Sequence, residues 1–351
     1  MMIKDYVSIQ GAIKKATDFF IEKNIEYPRI TSEILVSHIL SITKTKLYLK
    51  LNDFISKDEF EKFWSFVVAR SNNIPIQYLT QEVNFLDLKL FINKGVFIPR
   101  PETEILTQKA VLTLKNMSIK ESINTNNNVK ANRNIKEYKN KKNCKKTKIG
   151  KNIKANKLIK TNKNFINNNH LIASNEKKLL VLDIGTGCGA IGLAIANEVS
   201  TCLVYATDIS EKALDVARSN AVNLNLSDRI IFLKGNLFEP LSLSLKFSLD
   251  LIISNPPYVP ISKFKELQPE IREHEPENAL IGGEDGLFYY REIISKSLNF
   301  LKKNGYLLLE IGYNQSKQIK EIIKKIKEYN IREIIKDLSK VNRVVVLQKE
   351  K

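Results

Sequence analysis

From residue 179 to the end of the chain, short apolar runs alternate with longer stretches of helical periodicity, and this alternation limits the fold more than any other feature. "KKLLVLDIG", "CLVYATD", "IIFLKG", "LDLIISN", "GYLLLEIG" and "NRVVVLQK" have the length and branched composition of buried strands. Interspersed among them, "AIGLAIANEV", "SEKALDVARSNAVNL", "GLFYYREIISKSLNFL" and "QSKQIKEIIKKIKEY" read as helices. Strands joined through helices run parallel, because a crossover has the length that a parallel connection needs. The expected fold class is therefore α/β, a doubly wound, largely parallel, Rossmann-like sheet over residues 179–351. Ligands of such sheets bind outside the carboxyl ends of the strands.

The remainder divides into three parts. Residues 1–72 read as a small helical domain. "IQGAIKKATDFFIEK" is one helix, and a second opens at Pro28 and continues through Leu49. A third, "SKDEFEKFWSFVVAR", starts with a Ser56-x-x-Glu59 capping box and carries Phe60, Phe63, Trp64 and Val67 on one face. His38, on the second helix, reads as structural. In residues 73–116, "VNFLDLKLFI" alternates Val83 and Phe85, then Leu88, Leu90 and Ile92, which predicts a hairpin with a bulge near Leu86. Pro101, Glu102 and Glu104 mark the start of a linking helix.

The net charge of +18 would suggest nucleic acid as a partner, but its distribution is uneven. Residues 117–178 hold 17 Lys or Arg against 3 acids, and 16 asparagines, leaving only +4 for the rest of the chain. So little apolar surface cannot offset the entropy of ordering, so this segment reads as a disordered insertion. A tether giving weak contact with RNA or ribosomes is its functional reading; compositional drift toward Lys and Asn is the plainer one and is favoured. Cys144, Cys188 and Cys202 form no Cys-x-x-Cys pair, and no metal site is expected. With neither a cleavable leader in "MMIKDYVSIQ" nor an uncharged membrane-length run, a cytoplasmic, non-membrane protein is expected.

Two short motifs carry the chemistry. In "VLDIGTGCGAIGLA", Gly185, Gly187 and Gly189 turn the chain from strand into helix and let the backbone approach a ligand. Residues 187–192 also match Gly-x-Gly-x-x-Gly, but Asp183, two residues before the turn, would repel a pyrophosphate and suits an amino group instead. Asp208 ends the next strand, where an acid accepts the hydroxyls of an adenosine ribose. The second motif is "SNPPYVP". Pro256 and Pro257 lack N–H groups and hold φ fixed, so they stop the strand and leave Asn255 and Tyr258 in a stiff corner.

With these motifs the chain resembles the class I S-adenosylmethionine-dependent methyltransferases, and within them the release factor glutamine methyltransferases of the HemK/PrmC family. "FIPRPETE", "LDIGTGCGAIGLA", "SNPPYVP", "EPENALIGGEDGL" and "GYLLLEIG" resemble that family's motifs in order, and only residues 117–178 depart at length. In "GNLF", Asn236 stands where the family commonly has an acid. The resemblance implies S-adenosylmethionine as cofactor, held by Gly185, Thr186, Gly187, Cys188 and Gly189 at its methionine part, by Asp208 at the ribose and by Asn236 and Leu237 at the adenine, with Asn255 touching both cofactor and substrate. It implies as substrate the glutamine amide of the Gly-Gly-Gln loop in class 1 peptide chain release factors, met by Asn255, Pro256, Pro257 and Tyr258.

That substrate explains the corner. An amide nitrogen is a poor nucleophile, and two fixed acceptors for its two N–H groups, the Asn255 side-chain oxygen and the Pro256 carbonyl, would aim its lone pair. Tyr258 is expected to pack against the planar amide, and Arg100 to brace the site with Glu102. Such a clamp also suits the exocyclic amines of DNA adenine or ribosomal RNA guanine, which is the alternative enzyme. Residues 1–72 have no aromatic and basic platform of the kind that binds single strands. A non-catalytic RNA-binding protein using the basic insertion is the alternative from another class; the intact "NPPY" and Asp208 count against it.

Overall fold

The computed structural model describes residues 7–120 and 178–351. A two-residue strand β1 (Val7–Ser8) leads into α1 (Ile9–Glu22), capped by the Ser8 hydroxyl. The stretch read as one helix from Pro28 to Leu49 is two, α2 (Pro28–Ile39) and α3 (Lys44–Leu49). The break falls where Ser41 adopts φ 50° and the Thr43 hydroxyl accepts from the Lys46 N–H at 3.3 Å. Hydroxyl side chains that take over backbone donors end one helix and start the next. Strand β2 (Phe54–Ile55) pairs with β1, and α4 (Lys57–Ser71) begins with the expected capping box. Ser56 Oγ accepts from the Glu59 N–H at 3.3 Å and Glu59 accepts from the Ser56 N–H at 2.9 Å. Phe20, Leu35, Phe63 and Val67 form the core of this unit, and His38 stacks on Phe66 at 5.9 Å between ring centroids.

After α5 (Ile76–Thr80), the hairpin is β3 (Glu82–Phe85) and β4 (Leu88–Phe91). There is no bulge: Phe85 pairs directly with Leu88 across the two-residue turn Leu86-Asp87. Leu86 takes φ 51°, costly for a branched side chain, and its N–H donates to Glu104 at 3.0 Å. Glu104 lies on α6, which runs through 101–120 with Pro101 in its first turn, so the linking helix fixes the hairpin that precedes it.

The apolar runs then build one sheet: β5 (Leu179–Ile184), β6 (Cys202–Asp208), β7 (Ile230–Lys234), β8 (Leu249–Ser254), β9 (Leu301–Glu310), β10 (Tyr329–Lys336) and β11 (Asn342–Lys349). Helices α7 (Ala190–Glu198), α8 (Glu211–Asn223), α9 (Pro269–His274), α10 (Phe288–Ser297) and α11 (Ser316–Lys324) lie between them. The strand order is β10-β11-β9-β8-β5-β6-β7, with β7, β6, β5, β8 and β9 parallel. β11 is antiparallel to both neighbours, because a hairpin from β10 delivers it between β10 and β9. Val344 to Leu347 in β11 are all buried, as expected of a strand covered on both faces. The sequence reading extended α11 through Tyr329 and missed β10. That strand is at the edge, and register shifts near Ile331 and Ile335 interrupt its two-residue period.

One core lies on the sheet face covered by the hairpin, α6, α7 and α8, and the other under α10 and α11. The described ends of the Lys- and Asn-rich segment both reach the loop after α7. Ser118 Oγ lies 3.0 Å from Thr201 Oγ1, and the Leu179 N–H donates to the Thr201 carbonyl at 2.9 Å. This is the amino end of β5. Residues 117–120, expected to begin a disordered segment, instead continue α6; the rest of that expectation, over 121–177 and Cys144 with it, lies outside the described residues. Since both attachments sit away from the carboxyl ends of the strands, replacing residues 121–177 by a short Gly/Ser link should leave the fold intact, because closure entropy varies slowly with loop length. Circular dichroism should be native, and the melting midpoint equal to or slightly above that of the full chain; loss of cooperative unfolding would refute this.

Candidate functional site

The parallel pairing of β5 with β6 and β8 brings the two motifs together, with Ile184 opposite Thr207 on one side and Ser254 on the other. Immediately beyond this level, the Gly185 and Thr186 N–H groups donate to the Thr207 carbonyl at 2.9 and 3.0 Å, which starts the turn. Gly185, Gly187 and Gly189 have φ of 70°, 57° and 87°. At Gly185 and Gly187 a Cβ would meet no protein atom within 4 Å, so there the backbone faces open space. At Gly189 it would meet Leu193 Cδ1 at 2.8 Å, so that glycine serves the packing of α7.

Asp183 supports this turn from beneath. It is fully buried; its Oδ2 accepts from Thr186 Oγ1 at 2.6 Å and from the Gly192 N–H at 3.0 Å, while Oδ1 has no partner. Burial pushes its carboxyl up to about 7. Asp208 reaches the turn from the next strand, with one oxygen accepting from the Gly187 N–H at 2.8 Å and the other from the Ser210 N–H at 2.9 Å. Burial raises its carboxyl as well. The Cys188 thiol, buried and pushed up to about 12, is no nucleophile, and its carbonyl accepts from Asn220 Nδ2 at 2.9 Å.

A cleft opens above these strand ends. Gly185, Thr186, Gly187, Cys188, Asp208 and Leu237 line it on one side, and Asn255, Pro256 and Pro257 on the other. Gly189 is not among the lining residues. Tyr258 is also absent from the wall. Its ring packs toward the core beneath the sheet's C-terminal half, and its carbonyl accepts from Gln315 Nε2 at 2.9 Å. The turn at 281–286 packs against the corner: the Val259 N–H donates to the Leu280 carbonyl and the Gly282 N–H to the Val259 carbonyl, each at 2.9 Å. A Cβ at Gly282 would lie 2.6 Å from the Pro257 carbonyl, and one at Gly286 would meet the Tyr258 carbonyl, so these glycines admit the close approach.

Asn255 Nδ2 donates to Thr103 Oγ1 at 3.0 Å, and Thr103 Oγ1 donates to Glu310 Oε2 at 2.7 Å. With its nitrogen engaged by Thr103, the Asn255 oxygen is the end left to accept from a ligand in the cleft. Arg100 pairs with Glu275 and not with Glu102; Glu275 also accepts from the Ile98 N–H at 3.2 Å. This pair ties "FIPRPETE" to "EPENA", whose Pro276, Asn278 and Ala279 close the cleft. Sequence reading missed Thr103, Glu310, Glu275 and Gln315 as parts of the site. The first three fall inside stretches it singled out, but nothing local tells which of their polar groups meet. No cluster of His, Cys, Asp or Glu among the described residues could hold a metal ion.

Residues 11–80 match a family model described as the PrmC N-terminal domain, and residues 175–350 match one described as a methyltransferase domain. A release factor glutamine methyltransferase of Thermodesulfovibrio yellowstonii is 32% identical over 90% of this chain and 91% of its own length. That of Clostridium acetobutylicum is 31% identical over 97% of this chain and 98% of its own. That of Fusobacterium nucleatum is 29% identical over 95% of this chain and 77% of its own. The chain therefore belongs to the family of release factor glutamine methyltransferases.

Proposed function

We propose that this protein transfers a methyl group from S-adenosylmethionine to the side-chain amide nitrogen, N5, of the glutamine in the Gly-Gly-Gln motif of class 1 peptide chain release factors. The observation that carries the reading is Asn255. Its amide is turned so that an acceptor faces the cleft, on a proline-stiffened corner beside an open glycine turn.

The residues present fit the cofactor. Gly185 and Gly187 leave the space that a Cβ would fill, and the unpartnered Asp183 Oδ1 is a negative group beneath the same turn, suited to an ammonium. Asp208 presents a carboxylate for ribose hydroxyls, while Asn236 and Leu237 supply the wall for a purine. When bound, S-adenosylmethionine supplies a methyl group on a positively charged sulfur. The chain's own part is to orient the acceptor. Asn255 Oδ1 and the Pro256 carbonyl take one N–H each from the glutamine amide, which leaves its lone pair aimed along the remaining direction. Among the described residues no backbone or side-chain donor occupies the Pro256 carbonyl. The prolines and the 281–286 turn hold these dipoles before substrate arrives, so no reorganisation is needed at transfer. Once methylated, the nitrogen carries positive charge and loses its proton readily, so the reading assigns no general base. Tyr258 serves here by anchoring the corner through Gln315.

A cytoplasmic setting suits such a substrate, and no helix among the described residues is long and apolar enough to cross a membrane. Weak RNA or ribosome contact through residues 117–178 rests on charge alone. It should appear as salt-sensitive association that vanishes when the segment is replaced.

Mass spectrometry of the Gly-Gly-Gln peptide, after incubating a release factor with the protein and cofactor, tests the reading directly: a gain of one methyl on glutamine is expected. Asn255→Ala should lower turnover by about 100-fold or more while calorimetry finds cofactor affinity largely kept, as for removal of one preorganised polar group. Near-normal turnover would remove the clamp from the mechanism. Asp208→Ala should show the opposite emphasis, weakening cofactor binding roughly tenfold or more, with a smaller loss at saturating cofactor.

A further inference from the structure

We propose that Thr103 and Glu310 are positioning residues that set which end of the Asn255 amide faces the cleft, and that this setting reverses when Glu310 takes up a proton. The inference rests on the reading that Asn255 Oδ1 accepts from the substrate amide. The two ends of an Asn side chain are nearly the same size, so packing cannot choose between an orientation and its flip; hydrogen-bond partners must. Here the partners form a chain with one direction. Ionised Glu310 can only accept, so the single Thr103 hydroxyl proton goes to it at 2.7 Å. Thr103 then offers only lone pairs to Asn255, and the amide must turn its nitrogen toward them, as it does at 3.0 Å.

No local rule of chain geometry requires this connection. Thr103 stands in the first turn of α6, Asn255 just after β8 and Glu310 at the end of β9, separated by 152 and 207 residues from Thr103. Thr103 and Glu310 are 3% and 1% exposed, so water does not readily replace either partner. A neutral Gln in place of Glu310 could donate as well as accept and would let the chain run either way. The buried carboxylate gives the direction, at the cost of desolvation.

Protonation inverts the logic. A carboxylic acid at Glu310 can donate to Thr103 Oγ1, whose own proton then turns to Asn255. Only Oδ1 can accept it, so Nδ2 swings to the cleft and the substrate's N–H groups meet a donor. The groups around Glu310 put this change near neutrality. Burial and Glu102 favour the protonated form; Thr103, Arg343 on β11 and Arg100 favour the ionised form; the result is a carboxyl pushed up to about 7. Tyr258 from the corner and Tyr290 from α10 face the same acid, each with a hydroxyl held neutral by burial, and the Tyr290 hydroxyl donates to the Glu310 backbone carbonyl at 3.0 Å. Turnover should therefore be full above this value and fall as pH drops through it.

The test compares the full-length chain with Thr103→Val, Thr103→Ser and Glu310→Gln. It reads cofactor affinity by calorimetry, kcat and KM for release factor methylation from about pH 6 to 8.5, and the Asn255 side-chain amide resonances by 15N NMR, assigned by their loss in Asn255→Ala. Thr103→Val should lower kcat about tenfold or more at pH 8, with KM and cofactor affinity little changed; Thr103→Ser should restore it. The wild-type acid limb and a matching shift of the Asn255 amide resonances should both vanish in Glu310→Gln. A Thr103→Val kcat within about twofold of wild type, or an acid limb that survives in Glu310→Gln, overturns the proposal. If Thr103→Val fails to fold, the Glu310→Gln comparison decides alone. Wild-type protein that methylates no release factor overturns the proposed function instead, and the NMR titration then still tests the amide orientation.

Discussion

Ile184 and Ser254 stand opposite each other in the parallel pairing of β5 and β8, and the Ser254 hydroxyl donates to the Ile184 carbonyl at 2.8 Å. This register places the glycine turn and the proline corner at one level, because each begins at the next residue. A shift of one residue would reverse which side chains face the sheet's two cores and carry Asn255 out of line with the turn. The pairing on the other side, Ile184 opposite Thr207, brings Asp208 to the same level. Three connections in the chain thus open into one cleft because three strands end together.

Above that platform the site is held by packing of backbone on backbone. The Gly282 and Gly286 region lies so close to the corner's carbonyls that no side chain fits between. The corner is thereby stiff before any ligand is present, which is the condition for dipoles to act without reorganising. Its polar supports are buried and costly. Asp183 and Glu310 both have carboxyl groups pushed up to about 7, mainly by burial. For an acid whose folded value lies above its unfolded one, the protonated form is the stabilising one. That contribution is present at low pH and is lost as pH rises through about 7. In the proposed mechanism Glu310 works in its ionised form, so the site works against the fold's preference there, as is common where polar groups are placed for chemistry.

The hairpin is joined to this platform through the sheet's first core, and two charged contacts add to it. Arg70 of α4 donates to Glu270 of α9 at 2.7 Å, and Arg100 pairs with the buried Glu275. Both acids lie in the segment that follows the proline corner, so the part of the chain before the sheet is attached next to the cleft. The charge of residues 117–178, by contrast, joins at the far end of the sheet, near Thr201.

Much of this was legible locally. The two periods of apolar residues assign most strands and helices, positive φ at the turn follows from the spacing of Gly185, Gly187 and Gly189, and the rigidity of the corner follows from Pro256 and Pro257. The capping box at Ser56 was equally plain, since all its atoms lie within four residues. Where reading failed, the deciding contact lay elsewhere in the chain. Edge strand β10 exists because β11 offers it a partner, and the Arg100 guanidinium chose Glu275 over nearby Glu102 because folding brought that buried acid to it. Tyr258 packs against the sheet's second core, and its backbone carbonyl is held by Gln315, 57 residues away. The direction of the Asn255 amide depends on a threonine 152 residues away and, through it, on a glutamate beyond. Backbone conformation is dictated by neighbours in sequence, so the sequence alone determined the turn, the corner and most of the strands and helices. Hydrogen-bond direction and the state of a buried carboxyl depend on whatever packs around them, so only the tertiary structure could decide those.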